Sequence, residues 1–147
     1  MISRLACVLS LLFAPFWALA TESQAVEEAP FLEGAEDIPL EEWTAMAMGK
    51  TLVYRIDGQL WALEYYYPGT NYVTLQLHDG RCMSGTWDYS DSVYCFHWDS
   101  DGTACFRHAR VGDEILVIET PSDDRIPLIQ HMAAVTDAPL TCEAPIS

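Results

Sequence analysis

From Thr51 onward the chain alternates apolar and polar residues in runs of six to nine, and a turn-forming cluster closes each run. The runs cover 51–56, 60–67, 72–78, 81–89, 93–98, 103–110 and 114–119, with an eighth at 126–132. Asp57-Gly58, Pro68-Gly69, Asp79-Gly80, Ser90-Asp91 and Gly112-Asp113 punctuate them. Short alternating runs joined by Asp-Gly signals predict hairpins in series. The expected fold is therefore mainly β: an antiparallel meander of seven to eight strands forming a small barrel or a curled sheet. Just ahead of it the period changes. Leu40, Trp43, Met46 and Ala47 share one helical face, Asp37 is placed to cap, Pro39 suits a first turn and Gly49 a terminator. This predicts one short helix over 39–48 that packs Trp43 onto the sheet.

The start of the chain reads differently again. Arg4 precedes an almost wholly apolar run, Leu5 to Ala20, which ends in Ala18-Leu19-Ala20 before polar Thr21-Glu22-Ser23. A charged start, a short apolar core and a small-x-small end describe a secretory signal cleaved after Ala20. The run is shorter than the roughly 20 residues a spanning helix needs and holds Pro15. Cys7 lies at the very start of this run and is expected to leave with the signal. Residues 1–20 are thus expected to be a signal peptide, 21–37 an acidic flexible leader, and 38–147 a single β-rich domain, with no membrane span after cleavage. The expected location is periplasmic or secreted.

Composition narrows the partners. The 147 residues hold 22 acids against seven lysines and arginines, a formal charge of −15. Lys50 is the only lysine. Phosphate backbones and anionic lipids are bound through clustered basic side chains, so nucleic acid and lipid surfaces are disfavoured. A cationic protein is an electrostatically suited partner, one whose binding would weaken with salt.

Four cysteines remain after signal removal: Cys82, Cys95, Cys105 and Cys142. An even count in an exported chain points to two disulfides, for which three pairings exist. Cys95 and Cys105 flank the turn signal Asp99-Ser100-Asp101-Gly102. A hairpin pairing positions that sum to 200 sets them opposite each other. Cys82 then takes Cys142, pinning the C-terminal tail to the sheet. No C-x-x-C pair or common zinc spacing occurs, so no metal and no cofactor is expected.

Three short motifs carry a resemblance. Gly49-Lys50-Thr51 follows the helix, Gly85-Thr86-Trp87 lies mid-chain, and Tyr94-Cys95-Phe96 faces Ala104-Cys105-Phe106 across a hairpin. Over residues 38–120 the chain resembles small exported β proteins of alphaproteobacteria that belong to domain families of unknown function. The resemblance implies a periplasmic location and a β-meander, and brings no catalytic residues. Gly85-Thr86-Trp87 is also similar to the G-x-W of lipocalin-like and avidin-like barrels. There it opens the first strand; here about three strands precede it. Glycine in such a motif lets a strand bend or a neighbour approach, and tryptophan covers the end of the core.

Aromatic residues dominate the candidate chemistry. Alternation puts Trp61, Tyr65 and Tyr67 on one face of 60–67, with Glu64 and Tyr66 on the other. Tyr94, Phe96 and Trp98 share a face that Ala104 and Phe106 should meet. Trp61, Tyr65, Tyr67, Trp87 and Trp98 are the candidate binding residues, for a small apolar or sugar ligand or for a protein; the same aromatics could equally pack beneath the helix or the tail. His78, His97, His108 and His131 show no metal-ligand spacing. Most acids sit in turns, whereas Glu64 lies inside a strand among tyrosines, where burial would raise its pKa. No G-x-S-x-G elbow is present. A non-enzymatic binding module is the favoured reading, and a cell-envelope hydrolase using Glu64 is the alternative. An open pocket holding Glu64 beside a titratable neighbour would favour the enzyme; a filled interior with a flat aromatic patch would favour the binder.

Overall fold

The computed structural model describes residues 32–123 and 125–142. The expected signal peptide, Cys7 and residues 21–31 of the expected leader lie outside the described residues. Eight antiparallel strands close a barrel: β2 (Thr51–Ile56), β3 (Gln59–Tyr66), β4 (Tyr72–Leu77), β5 (Cys82–Ser90), β6 (Val93–Trp98), β7 (Gly102–Val111), β8 (Glu114–Glu119) and β9 (Ile129–Thr136). Each pairs with the next, and β9 returns to β2. A ninth strand, β1 (Glu36–Asp37), lies beside the end of β7, and α1 (Leu40–Ala47) follows it.

Local chemistry explains the joints. Asp57 and Gly58 both take positive φ, 49° and 75°, the two-residue hairpin turn whose twist matches its strands. Asp91 and Ser92 do the same at 50° and 65°. Gly85 is needed for close approach: a Cβ there would collide with the His97 carbonyl of β6. Two bulges interrupt the ladders on either side of β2, one in β3 and one in β9. Tyr54 opposes Ala62 and Arg55 opposes Leu60, so Trp61 of β3 is an extra residue; Val53 opposes Ala134 and Tyr54 opposes Met132, leaving Ala133 extra on β9.

Three expectations need correction. The last strand begins after Pro127, which has no N–H for the ladder, and runs to Thr136 instead of covering 126–132; Ile126 is 91 % exposed. Asp37 does not cap the helix. It pairs β7 and forms an ion pair with Arg107, and Pro39 occupies the N-cap without a side-chain bond. The strand-forming chain also begins earlier than Thr51, at Glu36, inside the expected leader.

Both disulfides are formed. Cys95 and Cys105 are register partners with Cα atoms 4.1 Å apart, and Cys82–Cys142, at 5.9 Å, ties the tail to β5. No helix among the described residues is long and apolar enough to cross a membrane.

The core lies inside the barrel. Trp43 projects from α1 into one end and is fully buried, with ring centroids 6.1 Å from Tyr66, 5.8 Å from Tyr94 and 3.9 Å from His108. Glu42 fastens the helix to Arg110 of β7 at 2.6 Å. A second, smaller cluster lies outside the wall, where Leu32 and Ala35 cover Ala109, Leu116 and Ile118.

Candidate functional site

Period-two alternation decides what faces inward. Leu52 and Tyr54 on β2, Ala62, Glu64 and Tyr66 on β3, Tyr94 and Phe96 on β6, and Val117 on β8 are all buried. The helix fills the end where β2 begins and β3 finishes. Beyond it the interior opens into a cavity of about 340 Å³. Its deep wall is Tyr54, Glu64, Phe96 and His108, and its mouth carries Trp61, Arg81, Trp98, Asp101 and Glu119.

Glu64 is the chemical centre of this space. It is 5 % exposed, and its Oε2 accepts hydrogen bonds from Tyr54 Oη at 2.8 Å and Tyr66 Oη at 2.9 Å. Oε1 has no protein donor and is not a sealed buried atom, so it faces the cavity. Burial pushes the carboxyl up to about 7, against the downward pull of the two tyrosine bonds. Both phenols are pushed well above their ordinary value, by burial first and then by the neighbouring carboxylate.

His108, 1 % exposed, is the second titratable group of the wall. Its ring stacks on Tyr94 at 4.0 Å and 7°. Neither ring nitrogen has a hydrogen-bond partner, and burial drives its pKa down to about 3, so the imidazole is neutral. Glu64 on β3 and His108 on β7, non-adjacent strands of the barrel, thus both have their charged forms disfavoured by burial.

The sequence-derived candidates divide. Trp61 and Trp98 line the cavity, Trp98 stacked on Phe96 at 5.7 Å. Trp61 is separated from Tyr65 and Tyr67, the residues with which simple alternation grouped it, because the bulge turns it toward the mouth. Tyr65 and Tyr67 meet edge-on at 4.9 Å on the outer wall, where Tyr67 Oη lies 3.3 Å from Thr74 Oγ1. Trp87 is packed in the closed half, 5.8 Å from Tyr66. Tyr54, Phe96, Phe106 and His108 line the cavity without having been singled out as binding residues. Tyr54 joins Glu64 on the inner face only through the bulge: folding 51–66 about Asp57-Gly58 without it sets Tyr54 opposite Trp61, on the other face. His108 shares the inward face of Phe106, which alternation does show.

On the outer wall His97 bridges Asp88 Oδ2 at 2.6 Å and Thr103 Oγ1 at 3.0 Å across three strands. None of these three residues lines the barrel cavity. No group of three or more His, Cys, Asp or Glu among the described residues is placed to hold a metal ion.

No protein-family model, curated protein or solved structure matches this chain.

Proposed function

We propose that the barrel is a non-enzymatic binding protein of an exported, oxidising compartment, and that it holds one small, largely apolar molecule inside the barrel. The observation that carries this is the hollow half: an aromatic-walled cavity of about 340 Å³ with an unengaged carboxyl oxygen, Glu64 Oε1, at depth. Its volume lies in the lower part of the roughly 300–1,000 Å³ range of small-molecule sites. Aromatic rings make most of the wall around Glu64, which suits an apolar body with one polar head better than a sugar. Two disulfides and the signal-like start support the compartment.

The test is saturable 1:1 binding of a naphthalene probe, read by tryptophan fluorescence. Ala104 lines the cavity, and Ala104→Trp should fill it and abolish binding. A variant with Tyr65→Ala and Tyr67→Ala on the outer wall should bind as the parent does. Equal binding by the Ala104→Trp protein, or none by the parent, would refute the assignment.

One observation favours the hydrolase as a second reading: a carboxyl near pKa 7 beside a cavity is suited to general acid–base work, and it stands in an open pocket with titratable neighbours. Against it, Glu64 Oε2 is held by two tyrosines, and His108 has no partner to orient its tautomer. Undiminished turnover by Glu64→Gln would eliminate Glu64 as the catalytic group.

A further inference from the structure

The charges around the cavity do not balance, and the imbalance has a sign. Glu64 lines the cavity with no cationic side chain bonded to it, and Asp101 at the mouth is met only by the more distant charge of Arg81. The one basic residue in the lining, Arg81, donates to Asp79 at 2.8 Å. Glu119, the third acid of the lining, is already neutralised by Arg125 at 2.5 Å. The neutral imidazole of His108 offers no positive charge. The groups facing Glu64 directly are the two phenols, which donate to it. Around this acidic interior stand the rings of Tyr54, Phe96, Trp98 and Phe106.

We infer that the occupant is an organic cation, an amine on an apolar body, whose N–H donates to Glu64 Oε1 while its hydrocarbon lies against the aromatic wall. This rests on the small-molecule reading above and names its ligand class. An ammonium gains from the carboxylate in a space of low dielectric, and from aromatic faces that present negative charge. The chain's surplus of acids raises the local concentration of cations and repels anions of the same shape. Binding favours the ionised carboxyl, so a protein that starts with Glu64 protonated releases that proton to solvent as the ammonium seats.

The experiment compares benzylamine, benzyl alcohol and benzoate, nearly isosteric and differing in head charge, by calorimetry on the signal-free chain. Benzylamine should bind tenfold or more tighter than the alcohol, and benzoate should not bind. Between pH 8 and pH 5.5 the amine's affinity should fall by roughly tenfold or more as the carboxyl protonates, while that of the alcohol stays level. Glu64→Gln should still bind the alcohol but lose both the amine preference and the pH dependence. Alcohol or benzoate binding as tightly as the amine would overturn the cation assignment and leave the small-molecule reading intact. A preference for amine that survives in Glu64→Gln would overturn the role of Glu64. Failure of all three compounds and of the naphthalene probe would instead remove the small-molecule reading, and this one with it.

Discussion

At the helix end of the barrel the buried rings of Trp43, Tyr66, Trp87 and Tyr94 meet one another; at the other end Trp61, Trp98 and Phe106 stand around a void. The same strands build both halves with the same kinds of residue. The difference is the plug: α1 supplies one indole to the first half, and nothing in the described chain enters the second. Glu64 and His108 lie where packed interior gives way to cavity. There burial is deep enough to shift both groups, and space remains for Glu64 to offer an oxygen. A filled barrel is sufficient for stability, so a hollow containing an ionisable group is the part that folding alone does not explain.

The largest expected effect concerns that boundary. His108 binds a proton less readily folded than unfolded, with its pKa taken from 6.5 to about 3. Its contribution to stability is therefore present above 6.5 and lost as pH falls toward 3, by about 5 kcal/mol in all. Glu64 behaves oppositely. Its carboxyl rises from 4.5 to about 7, so its contribution is complete below 4.5 and lost as pH rises through 7, by about 3 kcal/mol. The two slopes should nearly cancel between 4.5 and 6.5. Urea unfolding across pH should show His108→Phe removing the acid-side loss and Glu64→Gln removing the loss toward pH 7. Unchanged profiles in both variants would mean that neither group is buried as described.

Next in size is the plug. Trp43→Ala should cost about 3–5 kcal/mol, because a fully buried indole leaves a hole in dense packing. Trp98→Ala, at the hollow end, should cost less than half of that while weakening probe binding. Equal costs would contradict the contrast between the halves. The smallest effect belongs outside the wall. His97→Ala removes an exposed relay to Asp88 and Thr103 and should change stability by less than about 1 kcal/mol, with no effect on binding. A loss of binding there would relocate the site.

Much of this architecture was legible beforehand, for physical reasons. Seven of the eight barrel strands follow the alternating runs to within one residue at each end, since turn residues with positive φ mark their limits. The opposition of Cys95 and Cys105 follows from counting about one turn. Glu64 could be assigned to the face of Tyr66 because β3 is regular between them. What alternation could not show is where regularity breaks. The bulge at Trp61 is one added residue, invisible to a period of two, and it moves a candidate from the outer wall to the mouth. The start of β9 depends on where Pro127 falls relative to the ladder. The burial of His108 against Trp43 depends on a ring arriving from a separate helix, a tertiary contact without a local signal.

The short pairing of β1 has a consequence for any shortened form of the chain. β6 accompanies β7 only as far as the Tyr94–Phe106 pair, and Glu36 and Asp37 take up the seat beyond it, opposite Arg110 and Ala109. Cutting after Asp37 would uncover a row of backbone donors and acceptors on an otherwise endless sheet, together with the greasy patch beneath Leu32 and Ala35. Such a fragment would keep every residue of the cup and yet acquire a sticky seam, inviting a second molecule to complete the ladder that its own leader had closed.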